Sequence, residues 1–287
     1  MNIFQDNRYN LIESINNMEY EKINNQNTQL EKLLIKTNYI DEINNDNENK
    51  DIENINNENK ELKKFNNNLF IIHIFNPTIY FLNEHVQYAK NHNRRLLITN
   101  IGKYSVTKPI QGKCIKSIMI DFFKNKKLNT KYCTIIDAFA GIGGDTIYFS
   151  KYYNQIHSIE KNNIHFEVLS NNVNVLDLEN VKLYNGNFMD IIKKNNLIDS
   201  KYILYMDPPW GGPEYKKHKY IDLEIELDLP NEKKLHEVIN ILYNHYNIIF
   251  LKAPINIQIN KNNFHFKNIF FKPDLENKIL IIIFSKI

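Results

Sequence analysis

Thr134-Ile135-Ile136-Asp137-Ala138-Phe139-Ala140-Gly141-Ile142-Gly143-Gly144-Asp145-Thr146 is the stretch on which the fold turns. A short β-branched run ends in an acidic residue, passes through a glycine-rich turn and opens into a helix-forming segment. That order reads as a strand, a ligand-binding turn and a helix N-terminus. Three of the eight glycines in the chain fall within these positions. Glycine lets a backbone adopt positive φ and pass close to a bound molecule. The spacing is neither the GxGxxG suited to a pyrophosphate nor a P-loop ending in Gly-Lys-Ser/Thr.

Outward from this turn, strands and helices alternate. Strands are predicted at about Cys133–Asp137, Gln155–Glu160, Val181–Tyr184, Tyr202–Asp207 and Asn247–Lys252. Helices are predicted at about Asp145–Lys151, Asn163–Asn174 and Glu232–Tyr246. Such alternation implies a parallel sheet covered by helices on both faces. Two further strand-like runs, Phe264–Lys272 and Lys278–Lys286, follow without a helix between them. They imply an antiparallel hairpin at the sheet edge. The expected fold is α/β and Rossmann-like: a mostly parallel seven-stranded sheet with a C-terminal antiparallel hairpin, the class I methyltransferase arrangement.

The acidic residues at the strand ends suggest what the turn holds. Asp137 lies where a carboxylate can take the amine of a methionine moiety beside an adenosine. Glu160, about 20 residues on, ends the next strand where it can accept both ribose hydroxyls. Asn187, in Tyr184-Asn185-Gly186-Asn187-Phe188, lies where a side chain can reach the adenine amine. Phe139, Ala140, Gly141 and Gly143 form the rest of the expected cofactor lining. An ordinary strand–helix turn with capping acids is the bland alternative.

Asp207-Pro208-Pro209-Trp210 follows the fourth strand, and Gly211-Gly212-Pro213-Glu214-Tyr215 continues it. An acidic or polar residue, two prolines and an aromatic at this place suit methylation of a planar exocyclic amine. The prolines stiffen the loop and leave carbonyls free to accept hydrogen bonds. The aromatic ring stacks on a base, and Asp207 accepts from the amine. Trp210 is the only tryptophan in the chain, and its indole is the best cation–π face among side chains. A cationic 7-methylated guanine therefore suits it better than a neutral base.

These motifs resemble those of the trimethylguanosine synthase family, from about Asn100 to the C-terminus. The shared residues are Tyr104-Ser105-Val106-Thr107, Asp137-Ala138-Phe139 with Gly141-x-Gly143-Gly144, Asn171-Asn172 and Pro208-Pro209-Trp210-Gly211-Gly212-Pro213. The resemblance implies an RNA cap guanine-N2 methyltransferase that uses S-adenosyl-L-methionine. It places Thr107, Asp137 and Glu160 along the cofactor, Trp210 on the methylated guanine and Asn172 in the active site. Asp207 stands where the family commonly has serine, while Asn187 and Glu160 each stand for an aspartate. Other readings remain open: an N6-adenine or N2-guanine methyltransferase acting on internal bases, which Asp207 favours, and a non-catalytic cap-binding module.

Three segments are expected. Residues 1–68 contain 20 asparagines and no glycine or proline, and read as a low-complexity tail, flexible or loosely helical. Helical spacing at Leu11, Ile15 and Met18, and again at Ile52, Ile55 and Leu62, would suit a helix that binds a protein partner. Residues 69–106 form a lobe in which some aromatic from Phe70 to Tyr88 is expected to build the second wall of a cap pocket. Tyr80, Phe81 and Tyr88 read better as plain core. Residues 107–287 form the methyltransferase domain. Arg94, Arg95 and Lys216 to Lys219 are candidates for the cap triphosphate, with a solvated surface as the alternative.

The net charge of +3 is compatible with capped RNA but does not demand it. Two cysteines in separate apolar surroundings argue against a disulfide framework or zinc cluster and for a reducing compartment. The start of the chain lacks a signal peptide, and the longest apolar runs are too short to span a bilayer. A monomer is expected, and the resemblance implies a nuclear location, with the cytoplasm as the alternative.

Overall fold

A computed structural model describes residues 71–72, 77–210, 212–222, 234–266, 268–273 and 278–287. The predicted tail of residues 1–68, its two helical spacings, and Phe70 and Gly211 lie outside the described residues. In chain order the strands are β1 (Ile71–Ile72), β2 (Ile98–Thr99), β3 (Thr134–Asp137), β4 (Gln155–Glu160), β5 (Val181–Asn185) and β6 (Tyr202–Met206). They continue with β7 (Ile221–Asp222), β8 (Ile248–Pro254), β9 (Ile257–Gln258), β10 (Ile269–Pro273) and β11 (Ile279–Ser285). The α-helices are α1 (Asn83–Asn91), α2 (Gly102–Ser105), α3 (Pro109–Asn125), α4 (Gly144–Ser150), α5 (Asn163–Val175), α6 (Phe188–Lys194) and α7 (Leu235–Tyr243).

Seven strands form one sheet in the order β10-β11-β8-β6-β3-β4-β5. β3, β4, β5, β6 and β8 run parallel, and β11 joins β8 antiparallel and turns back as β10. The expected sheet and closing hairpin are both present. From β3 the chain adds β4 and β5 on one side, then returns to add β6 on the other. The reversal puts the topological switch point between β3 and β6, where ligands bind at carboxyl ends in doubly wound sheets. Asp137 ends β3, and Asp207 follows β6 directly.

Period-2 alternation sorts the strand residues onto two helix layers. Ile136, Leu204, Met206, Ile249, Leu251 and Ile282 face the layer of α6 and α7. Ile135, Ile203, Tyr205, Ile248, Phe250 and Ile281 face the other layer, with Ile115, Met119 and Phe123 of α3 and Phe149 of α4. Each such side chain, fully buried, contributes about 1.5–3 kcal/mol. Sequence reasoning passed over α3, α6 and α1. The signal for α3 was present: Pro109 occupies the first turn, and Ile115, Met119, Phe122 and Phe123 recur at helical spacing.

Residues upstream of α3 are tied to α5 and the loop after it. Arg94 pairs with Asp177 at 2.7 Å and also donates to Asn174 O and Val175 O. Tyr88 donates its hydroxyl to Asp177 Oδ2 at 2.7 Å. Arg94 is therefore engaged structurally. Tyr80 and Phe81 are buried, as the core reading expects, whereas Tyr88 is only half-buried. α7 begins at Leu235 rather than Glu232, which lies outside the described residues, and ends at Tyr243. Tyr246 is buried beyond it, its hydroxyl donating to Leu197 O.

Candidate active site

The turn after β3 is shaped by two requirements. Gly141 has φ 55° and Gly143 φ 98°, where side chains with a Cβ are strained. A Cβ on Gly144 would stand 2.9 Å from the backbone nitrogen of Thr107. The glycines therefore let the turn curl back and Val106-Thr107 close over it. A Cβ on Gly141 would meet nothing within 4 Å, so open space lies beside the turn there. Ala140 is buried, with its N–H on Ile159 O, and Phe139 packs on Phe188.

Glu160, at the end of β4, accepts from Gly141 N at 2.8 Å through Oε2 and from Asn162 N at 2.7 Å through Oε1. Burial raises its pKa, and the backbone N–H groups oppose that rise. His165 approaches to 3.9 Å, but burial pushes its pKa down to about 4, so it stands neutral beside the carboxylate. The Lys161 N–H adds to the backbone donors on Glu160, and the lone pairs left on the carboxylate suit hydroxyl donors. Asn187 caps α6, its Oδ1 accepting from Met189 N at 2.9 Å.

Asp137 is almost fully buried. Its Oδ2 accepts from Thr146 at 2.7 Å, and its Oδ1 has no hydrogen-bond partner among the described residues. Because Thr146 donates there, its 2.7 Å contact with Ser158 has Ser158 as donor. Burial, then the nearby Asp145, pushes Asp137 up to about 8.

A second carboxylate cluster adjoins it. Asp145 Oδ2 accepts from Thr107 Oγ1 at 2.8 Å and from Tyr205 OH at 3.1 Å. Lys252 on β8 lies 3.5 Å from the same oxygen, donates to Thr107 Oγ1 at 2.6 Å and donates to Asp207 Oδ2 at 2.6 Å. Burial pushes Asp207 up to about 6, against the pull of Lys252. The Lys252 ammonium is itself raised: burial lowers it, but Asp145 and Asp207 outweigh that. Two aspartates, Asp145 and Asp207, thus share one ammonium, with Asp137 close by. An orphaned buried carboxylate oxygen in a site with surplus negative charge fits a cationic amine or sulfonium ligand.

Pro208 is buried and Pro209 exposed, while Trp210 is half-buried against the apolar cluster of the α6–α7 face. The indole N–H lies near enough to Asp207 to favour its ionised form without closing a hydrogen bond of ordinary geometry. Lys216 is exposed at the end of a 3-10 turn, its ammonium 5.9 Å from the Tyr215 ring centroid.

The structure thus brings Thr107, Asp137 and Asp207 together at the ends of β3 and β6, with Glu160 across the glycine turn. It does not bring Asn172 to an open surface. That side chain has 0% exposure; it accepts from Leu97 N at 2.8 Å and donates to Leu97 O and Ile142 O. Every polar atom is engaged by backbone, so Asn172 is a clamp between β2 and the glycine turn rather than a substrate contact. Sequence reasoning missed Lys252, Asp145 and Tyr205. Only Lys252 carried a usable signal, as the lone charge inside the otherwise apolar run Ile248–Pro254.

A switch-point sheet closed by an antiparallel hairpin, with acids at the ends of β3 and β4 and an Asp-Pro-Pro-Trp loop after β6, defines the Rossmann-like methyltransferase fold. Residues 132–273, about half of the chain, match the family model described as RNA cap guanine-N2 methyltransferase. Over this segment the chain is similar to that family. It is 34% identical over 115 residues to trimethylguanosine synthase of Schizosaccharomyces pombe, covering 39% of this chain and 45% of that protein. It is 27% identical over 150 residues to trimethylguanosine synthase of Saccharomyces cerevisiae, covering 52% and 46%. An uncharacterized protein of Acanthamoeba polyphaga mimivirus is 32% identical over 137 residues, covering 46% and 50%. The chain spans about half the length of the curated relatives it matches. Among the described residues no helix is long and apolar enough to cross a membrane.

Proposed function

We propose that this protein transfers a methyl group from S-adenosylmethionine to the exocyclic N2 amine of a 7-methylguanosine RNA cap. The observation that carries the reading is the placement of Asp207 and Trp210 directly after β6, beside the orphaned carboxylate oxygen of Asp137 at the end of β3. Asp137 would hold the amine of the donor, Glu160 its ribose hydroxyls, and the open space beside Gly141 its body. The bound donor supplies an electrophilic methyl on a sulfonium.

Asp207 accepts a hydrogen bond from the acceptor amine, whose lone pair is otherwise delocalised into the guanine ring. As the nitrogen attacks, it grows more positive and its protons more acidic. The bond to Asp207 therefore strengthens toward the transition state, and only such differential contacts raise the rate. The Lys252 ammonium pulls the Asp207 carboxyl toward its ionised form, against burial and the neighbouring Asp145. The proton released from nitrogen leaves to water, and no dedicated base is required. Trp210 stacks on the cationic base, a contact worth up to about 2 kcal/mol when desolvated.

Labelled donor offered with 7-methyl-GTP, GTP, 7-methylguanosine-capped RNA, uncapped RNA and adenine-containing DNA tests this. Transfer confined to the 7-methylated acceptors is expected. Comparable turnover of GTP and 7-methyl-GTP, or preferred transfer to adenine, would sink the cap reading. Mass analysis of the product counts the methyls added at N2.

A further inference from the structure

Lys252 is at odds with its surroundings. It stands at 6% exposure in a strand whose seven residues are all buried. An ammonium taken from water into such a place is costly unless it is paired and hydrogen-bonded, and an apolar residue of similar volume would serve the sheet as well or better. It donates to Asp207 Oδ2 and Thr107 Oγ1 at 2.6 Å each and forms an ion pair with Asp145 Oδ2 at 3.5 Å. An ammonium held at three points cannot swing, so the carboxylate it grips is held too.

We propose that Lys252 is a positioning residue for methyl transfer: it grips one oxygen of Asp207, leaves the other for the acceptor amine, and keeps the carboxylate ionised while it accepts. This rests on the methyl-transfer reading above. The titratable groups facing Asp207 are Lys252 from β8, Asp145 from α4, Asp137 from β3 and Tyr205 from β6. Lys252 is the one cation among them, and Asp145 opposes ionisation of Asp207. An opposite charge at such distance shifts a carboxyl by about 1–3 pH units.

Two measurements test the role. The first is the pH dependence of kcat for Lys252→Met and Lys252→Arg on 7-methylguanosine-capped RNA. In Lys252→Met the acidic limb should move up by about 1–3 pH units, with KM for donor and acceptor close to wild type. Lys252→Arg, which keeps the charge, should hold the limb near its wild-type position. A uniform fall in kcat with an unmoved limb overturns the proposal, because general loosening of the fold would give that pattern.

The second is the midpoint of the Asp207 carboxyl in substrate-free protein, followed by isotope-edited NMR and assigned by its loss in Asp207→Ser. Lys252→Gln should raise that midpoint, and Lys252→Arg should not. An unmoved midpoint in Lys252→Gln overturns the proposal whether or not an acceptor has been found. A raised midpoint with no transfer to any acceptor defeats the methyl-transfer reading and leaves the grip of Lys252 on Asp207 standing. Should the Met and Gln variants fail to fold, Lys252→Arg decides: a limb and midpoint displaced upward by a unit or more overturn the role assigned to the charge.

Discussion

Glu160 and Asp207 are both carboxylates near the ends of parallel strands, yet they are held in opposite ways. Glu160 is fixed by backbone N–H groups of Gly141 and Asn162, with no charged cation on it. Asp207 is fixed by a side-chain ammonium from a strand that begins more than 40 residues later. Backbone donors leave a carboxylate with spare lone pairs and no competing charge, which suits a neutral hydroxyl pair. An ammonium leaves a directed carboxylate whose ionisation can be set, which suits a group that must respond during a reaction. On the proposed reading, the donor side of the site is built for binding and the acceptor side for chemistry.

The strongest way to break this contrast is Asp207→Ala. Turnover should fall about 10- to 1,000-fold, as when one oriented polar partner of a transition state is lost. Asp207→Ser should retain substantial activity. Single-turnover kinetics reads the outcome: a wild-type rate with only a raised KM would make Asp207 a binding contact and erase the distinction.

Glu160→Ala should behave in the reverse sense. Each charge-assisted bond to a ribose hydroxyl is worth about 1.5–3 kcal/mol, so donor affinity should drop while the chemical step at saturating donor changes little. Calorimetry that finds unchanged donor affinity would move the ribose contact elsewhere.

Trp210→Ala tests the acceptor side without touching its charge. Affinity for 7-methyl-GTP should weaken by about 2 kcal/mol, Trp210→Phe should be intermediate, and donor affinity should be nearly unchanged. Equal losses for GTP and 7-methyl-GTP would show stacking without a cation–π component.

The smallest effect concerns stability. Asp137 is raised to about 8 from an unfolded value of 3.8. Between those values the folded state binds more protons than the unfolded state, so stability falls as pH rises through this window. The contribution is fully present below about 4 and is lost as pH rises through 8. Asp137→Asn should therefore melt above wild type at pH 8 by a few degrees, at about 2–4 °C per kcal/mol for a chain of this size. The gap should close toward pH 4. A gap that instead widens on acidification would show that Asp137 is ionised and stabilising in the folded protein. The same substitution should weaken donor binding.

Much of the donor side was legible because its interactions are local. β3, the glycine turn, α4 and β4 are contiguous, and Glu160 is tied to Gly141 within 19 residues. The sheet and its closing hairpin followed from period and order alone. The acceptor side was legible only in the Asp207–Trp210 loop itself, because a lysine's partners cannot be read from a strand that shows only that a charge is out of place. Asn172 was misread for a related reason. A buried amide and a substrate-binding amide look alike in sequence, and only the carbonyls of Leu97 and Ile142 separate them. α3 was missed despite its spacing, because the strand–helix alternation that organised the rest begins after it.

The Asn172 clamp also bears on modularity. The stretch by which this chain is recognised begins at residue 132, but Leu97, Thr107 and the whole of α3 precede it. A fragment cut at that boundary would strand the amide of Asn172, remove the hydroxyl shared by Asp145 and Lys252, and strip one helix from the sheet. What similarity delimits and what folds are therefore different units: the segment transplantable between proteins begins no later than Leu97.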